Sequence, residues 1–585
     1  MVILGVNVYH PDSAAAIVKD GELVAAAEEE RFRRIKHWAG FPSEAIRYCL
    51  SAAGLRPSDV DCIAVNQKTG ANLWRKVAYL AMNRPNLSFI FDRIKNKSQR
   101  MDIATEFIRA FPEDSLRAEI REVEHHYAHL SSAFFVSSFQ DATVVSVDGF
   151  GDFASAAWGQ GHFNSINVEN KIYFPHSLGI FYMALTQYLG FQNWGDEYKV
   201  MGLAPYGQEK FMDAMRQIVQ LKESGIYHLN LEFFRHHKEK TDMELHNGEP
   251  RVAELYTPAL ENLLGPSRKK DDELMQRHKD IACSVQAMYE EAFFHLLNHI
   301  YSCHGMETLA LAGGCAMNSV ANGKIYERSP FRKVYIQAAS GDAGGAIGAA
   351  FAVWNKVLGN PRTFVMEHAY YGPEFSHNDV IDLIHRYQDE LERLGCQVKE
   401  VVDLEILCQR TASAIADGYV IGWFQGRMEW GPRALGNRSI LSDPRRPDMK
   451  DILNLKIKRR ESFRPFAPSI LREAVKEWFE TDDDVPFMLQ VYQIREEKRK
   501  EIPAVTHVNG SGRLQTVTEK QNSRYYRLIK AFEKLTGVPI VLNTSFNENE
   551  PVVCTPAEAM ACFLRTQMDM LVLENWIISR HPFCP

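Results

Sequence analysis

The chain has 585 residues, 45% of them hydrophobic and 24% charged. That composition fits a folded protein of more than one domain and excludes a disordered or collagen-like chain. Lys and Arg number 67 against 74 Asp and Glu, a net charge of −7, so no global basic excess points to a nucleic-acid partner.

The start, Met1-Val2-Ile3-Leu4-Gly5-Val6, lacks the basic segment and long apolar stretch of a secretory signal. No apolar run nears the roughly 20 residues of a membrane span. The ten cysteines form no CxxC pair, which predicts reduced thiols in a cytoplasmic protein without a membrane partner. Val2 to Val8 is β-rich, and Ile17 to Ala25 carries Asp20-Gly21 between apolar runs, the signal of a hairpin. The small residues at 13–16 predict closely approached backbone. Thr143 to Gly149 reads as a buried strand and Phe153 to Gly161 as its partner. Two such glycine-punctuated pairs about 140 residues apart predict a duplicated domain. Helical spacing covers 43–54, 101–111, 207–223 and 271–304, while 238–272 is polar and irregular. Leu309 to Gly314 is a strand entering a glycine turn, and 343–356 is a helix of small residues entered through Gly341-Asp342. Glycines and prolines cluster at 360–375 and predict a domain boundary there. Beyond it, 376–395 and 404–417 read as helices and Tyr419 to Phe424 as a strand.

Five motifs carry chemistry. His125 and His129, at i and i+4, share one helix face, and neutral imidazoles so placed bind divalent metals. Asp148 and Asp342 are the candidate carboxylate partners. Leu311 to Asn318 places Gly313-Gly314 between a strand and a helix, a turn whose amides suit phosphate. It is not a Walker motif. Arginines alternate with glycine, proline and aromatics from Gly426 to Ser439 and from Lys456 to Pro468. That is unlike a solvated helix face and matches a small polyanion; RNA and a structural charge cluster are the competing readings. Thr506 to Val517 and Gly537 to Asn547 set polar side chains beside strand-like residues.

These motifs, in this order, resemble the NodU/CmcH family of O-carbamoyltransferases over nearly the whole chain. The resemblance rests on Asp12-Ser13-Ala14-Ala15, Glu28 to Phe32 with Lys36-His37, and the histidines at 125–129. It continues through Glu197 to Gly207, Gly431 to Gly436, Phe463 to Pro468 and Leu542 to Asn547. The chain departs from the family pattern at Trp38 and at Phe150 and Phe153, positions on acceptor-side loops.

The resemblance implies an α/β (α+β) protein. Residues 1–370 form a duplicated actin/Hsp70-like (TsaD-like) domain and 371–585 a YrdC-like domain. It implies ATP with Mg2+ and carbamoyl phosphate as the source of a carbamoyl-adenylate, whose carbamoyl group passes to a small-molecule hydroxyl. Arg433, Lys458, Arg464, Arg513, Asn543 and Ser545 would form the carbamoyl-phosphate and adenylate site. His125, His129, Asp148 and Asp342 would hold the metal, with iron the implied ion. Gly313, Gly314 and Asn318 would contact the nucleotide. His10 and Asp12, on the first turn, are the residues expected to take the acceptor proton. The alternatives are a threonylcarbamoyl-type transferase acting on tRNA and a nucleotide-binding protein without turnover. The acidic net charge and the motif order disfavour tRNA, and the retained metal and basic sets disfavour loss of chemistry.

Overall fold

The computed structural model describes residues 1–83, 102–115, 117–239, 241 and 244–582. Met101 of the expected 101–111 helix and three positions of the 238–272 stretch lie outside these. The chain divides into two compact units, Met1–Met366 and Glu367–Pro585.

Unit 1 is built on two five-stranded sheets of one design. In the first, β1 (Val2–Asn7) pairs antiparallel with β2 (Ala14–Lys19), which pairs antiparallel with β3 (Glu22–Glu28). On its other edge β1 runs parallel to β4 (Cys62–Val65), and β4 parallel to β5 (Glu119–Glu122). Asp20 and Gly21 both have positive φ, the backbone that a two-residue hairpin requires. The second sheet centres on β6 (Asp141–Gly151), which pairs antiparallel with β7 (Ala154–His162), followed by β8 (Ser165–Tyr173). Two short hairpins come next, β9 (Val219–Leu221) with β10 (Tyr227–Leu229) and β11 (Glu244–His246) with β12 (Glu249–Arg251). The second sheet is then completed on the parallel side of β6 by β13 (Thr308–Ala312) and β14 (Lys333–Ile336). Strand order and direction therefore repeat from one sheet to the other.

The helix His125–Phe134 is buried on every side. It packs on the helix Gly344–Phe351, which is also fully buried and packs on β1. Small residues make this approach possible: a Cβ on Gly348 would lie 1.8 Å from the Ala128 carbonyl oxygen. Arg362 closes the far end of the His125–Phe134 helix. Its guanidinium donates to the carbonyls of Phe134 (2.7 Å), Phe135 (3.2 Å) and Ser137 (2.6 Å) and lies over the Phe134 ring. Carbonyls at a helix end have no partner within the helix; that of Phe134 also accepts from the N–H and hydroxyl of Ser137.

Unit 2 carries one nine-stranded mixed sheet of β15 (Gln397–Glu400), β16 (Ile421–Phe424), β17 (Arg438–Ser442), β18 (Ala467–Leu471), β19 (Gln490–Gln493), β20 (Ser511–Val517), β21 (Ile540–Ser545), β22 (Met570–Leu573) and β23 (Trp576–Ser579). The strand order is β15-β23-β22-β16-β17-β21-β18-β20-β19. The helices Leu404–Ala416 and Ser523–Thr536 pack against each other. The protein is thus mixed α/β throughout.

Several sequence expectations are corrected. The 207–223 segment is helical only over Met212–Ile218, because Val219–Leu221 is drawn into β9 by its partner β10. The irregular 238–272 stretch holds the β11–β12 hairpin and a helix, Pro258–Leu264. The 376–395 helix is two, His377–Arg386 and Gln388–Arg393. Among the described residues the cysteines are free thiols, and no helix is long and apolar enough to cross a membrane.

Candidate functional site

In unit 1 the first turn of the His125–Phe134 helix presents His125 and His129 toward the end of β6. Glu124 caps that turn by accepting the Tyr127 N–H. The two Nε2 atoms lie 3.0 Å apart. Asp148 Oδ2 is 3.1 Å from His125 Nε2 and 3.5 Å from His129 Nε2, and Asp342 Oδ1 is 3.6 Å and 3.5 Å from the same atoms. Four donor atoms therefore converge within 4.8 Å of one another. Gly151 makes room for this geometry, since a Cβ there would overlap the His125 ring.

The electrostatics match the geometry. Burial raises Asp148, but hydrogen bonds from His125 and His129 overcome it and hold the carboxyl well below its usual range. Burial and then the Asp148 charge push Asp342 up. Burial lowers His129, but Asp148 and Asp342 outweigh it and raise the imidazole to about 9. Protons thus do here what a divalent cation does better, which is to neutralise two facing carboxylates. Two imidazole nitrogens and two carboxylate oxygens in a buried cluster fit a first-row divalent ion, and suit iron, zinc and manganese alike. Among the described residues, the outer Nδ1 atoms of both histidines are buried without hydrogen-bond partners. Packing, rather than outer hydrogen bonds, sets the ring orientation.

The glycine turn after β13 serves this cluster. Gly314 N–H donates to Asp148 Oδ1 at 2.8 Å, and Gly313, at φ +92°, passes so close to the Val147 carbonyl that only glycine fits. The amides of Gly313, Ala316 and Asn318 bond to the carbonyls of Ser340, Gly313 and Cys315. The expected open cradle of amides for phosphate is therefore not met, because those donors are already used. Asn318 pairs with the Gln286 amide and caps the following turn at Ala321.

His10 and Asp12 part company. His10 Nδ1 is 3.9 Å from Asp342 Oδ2, and its ring faces His125 at 5.4 Å between centroids. Asp12 Oδ1 lies 2.8 Å from His37 Nδ1 instead. Burial depresses His37, but the Asp12 charge prevails and raises it to about 9. His37 N–H also donates to Glu30 Oε2. Close by, burial pushes Glu197 up to about 7. No role was read for His37 or Glu197 from the sequence, although both lie in its motifs. The Asp12–His37 pairing joins positions 25 apart through two left-handed turns, and no spacing rule announces it.

In unit 2 the strands β18, β20 and β21 present a polar face. Asn543 Nδ2 donates to the Ala434 carbonyl, to Ser469 Oγ and to Gln515 Oε1. Gln515 Nε2 donates to the Leu435 carbonyl. The Gly431–Gly436 loop is thereby tied to this face. Buried Glu429, unassigned by the sequence reading, accepts the N–H groups of Leu435, Asn437 and Arg438 and holds the loop from the other side. Lys458, also buried, donates to Ser545 and to Asn547. Burial and then the charges of Arg433, Arg460 and Arg464 hold Arg513 well below the ordinary guanidinium range. A guanidinium keeps its proton, so Arg513 bears the cost of burial first and of like-charge repulsion second, and a bound anion offsets both. The six residues expected at this site thus fall into one neighbourhood, joined by Arg460. Arg438 belongs elsewhere. It is fully buried over the Phe424 ring and donates to the carbonyls of Gln425, Asn437 and Pro373.

Comparison with known proteins agrees with this division. Residues 2–351 match the carbamoyltransferase N-terminus model and residues 412–580 the carbamoyltransferase C-terminus model. An uncharacterized protein of Synechocystis sp. is 42% identical over 614 residues, covering 99% of this chain and 96% of that protein. Nodulation protein NolNO of Sinorhizobium fredii is 38% identical over 586 residues, covering 99% of this chain and 80% of that protein. The 3'-hydroxymethylcephem-O-carbamoyltransferase of Streptomyces clavuligerus is 33% identical over 270 residues, 46% of this chain and 48% of that protein. The chain belongs to the carbamoyltransferase family, within the NodU/CmcH group of O-carbamoyltransferases.

Proposed function

We propose that the protein transfers a carbamoyl group to a hydroxyl of a small natural product in two ATP-dependent steps. In unit 2, read as YrdC-like, carbamoyl phosphate loses inorganic phosphate to water. The carbamate oxygen then attacks the α-phosphorus of ATP, supplied as its Mg2+ complex, and pyrophosphate leaves. The observation that carries this reading is the crowding of Arg513 by Arg433, Arg460 and Arg464. Such a set counters the repulsion between two anionic substrates and the charge that develops between them. Lys458, Asn543 and Ser545 complete the surroundings.

In unit 1, read as TsaD-like, the acceptor oxygen bonds to the carbamoyl carbon, the bond to AMP breaks, and the hydroxyl proton leaves. The repeated sheet topology supports the actin/Hsp70-like reading. His125, His129, Asp148 and Asp342 would hold a divalent cation, which when bound supplies Lewis-acid polarisation of the carbamoyl carbonyl. His10 stands beside this cluster and is placed to accept the proton, whereas Asp12 is engaged by His37. Gly313, Gly314 and Asn318 would line the nucleotide's approach through groups other than the Gly313 and Gly314 amides, which Ser340 and Asp148 already hold.

The test is pyrophosphate release by purified protein with ATP and carbamoyl phosphate, run first without acceptor and then with aminoglycoside, macrolide and chito-oligosaccharide alcohols. Carbamoyl-phosphate-dependent pyrophosphate is expected. None under any of these conditions, with both substrates shown to bind, refutes the activation step.

A further inference from the structure

One buried hydrogen-bond acceptor stands among the cations of unit 2. His507 sits in a tight turn before β20: Gly510 N–H donates to its carbonyl and its own N–H donates to that of Ser511. His507 Nδ1 is 3.2 Å from Ser511 Oγ, and the Ser511 hydroxyl donates to Asn509 Oδ1 at 2.8 Å. Ser511 N–H points at the same Asn509 oxygen, which fixes the orientation of that amide. With its proton committed to Asn509, Ser511 Oγ can only accept from His507. The imidazole therefore carries its proton on Nδ1 and presents a lone pair at Nε2. That Nε2 is buried and has no partner among the described residues. Ser511 and Arg513 are two apart on β20 and project from the same face, and Arg513 Nε is likewise buried without a partner. Burial, with the charges of Arg513 and Lys450, pushes His507 down to about 3, so the ring stays neutral at physiological pH.

Guanidinium groups and lysine offer only donors. They suit the phosphate and carbonyl oxygens of carbamoyl phosphate and repel its amide. The amide is also the only donor that carbamoyl phosphate carries at neutral pH. We propose that His507 Nε2 accepts a hydrogen bond from the carbamoyl NH2, making His507 the residue that separates carbamoyl phosphate from acyl phosphates lacking an N–H. The inference rests on the carbamoyl-phosphate reading given above. Acetyl phosphate has the same charge and nearly the same size, but its methyl group would leave Nε2 buried and unpaired, the kind of mismatch that gives strong discrimination.

The experiment compares full-length wild type, His507→Leu and His507→Gln in carbamoyl-phosphate-dependent pyrophosphate release, with acetyl phosphate and inorganic phosphate as competing inhibitors. His507→Leu should raise the KM for carbamoyl phosphate about 10-fold or more and shrink its advantage over acetyl phosphate by a similar factor. Inhibition by inorganic phosphate should stay unchanged, and His507→Gln should restore part of the selectivity. Unaltered selectivity in His507→Leu, or an equal loss of inorganic phosphate inhibition, overturns the assignment. A wild type that releases no pyrophosphate refutes the functional reading and the inference together. A second readout needs no variant: the wild-type His507 Nε2 nitrogen resonance should shift with carbamoyl phosphate and not with acetyl phosphate. An identical response to both overturns the proposal even if the variants fail to fold.

Discussion

Replacing Gly348 with alanine tests whether the crossing of two buried helices sets the geometry of the metal-type cluster. The added Cβ would sit 1.8 Å from the Ala128 oxygen, 2.7 Å from its carbon and 2.9 Å from Ser132 N, all of them backbone atoms. An ordinary contact needs the helices to part by about 1.5 Å. Alanine returns at most about 1 kcal/mol of helix preference over glycine, whereas overpacking a dense core costs about 1–3 kcal/mol. The clash therefore wins. At about 2 cal/mol/K per residue over unit 1, a net loss of that order lowers its Tm by about 1–3 °C. The larger effect falls on function. Ala128 lies between His125 and His129, and Gly348 is six residues past Asp342 on the segment that positions it. Misplacement by about 1 Å can reduce a positioned reaction about 100-fold. Gly348→Ala should therefore bind less than one equivalent of metal by elemental analysis and lose carbamoyl transfer by about 10- to 100-fold, with pyrophosphate release unchanged. Full metal content with wild-type transfer would refute the reasoning.

Three further outcomes follow from the same geometry. His129→Ala should abolish carbamoyl transfer while sparing pyrophosphate release, and equal loss of both half-reactions would contradict the division of labour. In Asp12→Asn, NMR titration should move His37 from about 9 down toward the ordinary histidine range near 6.5. Because the folded value is raised, the pair's stabilisation is fully present below about pH 6.5 and fades as pH rises through about 9. The partial exposure of both groups keeps it near 1 kcal/mol, so the Tm gap between wild type and variant should close above pH 9, and a gap that persists there would argue against the ion pair. Arg438→Met leaves the buried Gln425 carbonyl without its donor, while the Asn437 and Pro373 carbonyls keep the N–H groups of Gln425 and Met428, and should cost about 1–3 kcal/mol, read as a fall in the melting transition of unit 2; a variant as stable as wild type would show that Arg438 does not hold that core together.

Elements with strong local signals were legible before any coordinates. The Asp20-Gly21 hairpin and the β6 strand follow from turn residues and apolar runs, and the i, i+4 spacing of His125 and His129 sets them on one face of whatever helix carries them. The metal-type quartet was named in full, because two histidines on one helix face and aspartates at glycine turns are chemically conspicuous. Other features depend on burial, which local spacing does not reveal. Arg438 and Arg464 lie in similar basic strings, yet one is a core strut on Phe424 and the other stands among the arginines around Arg513. The glycine turn at 313–314 looked like a phosphate cradle because the sequence does not show that Asp148 and Ser340 already use its amides. Val219–Leu221 was lost to a helix because its strand partner, residues 227–229, outweighs local helical spacing.

The distance along the chain between the cluster's members has a consequence for biosynthesis. His129 leaves the ribosome about 210 residues before Asp342, an interval of about 10–40 s at ordinary elongation rates. Arg362, which seals the end of the histidine helix, follows later still. A nascent chain therefore displays two imidazoles without their carboxylate from 342 or their capping guanidinium, and any ion held then is held by an incomplete set. An ion entering this cluster would meet all four donors only after nearly the whole of unit 1 has been made, so the choice among ions would fall to a folded protein and not to the emerging chain.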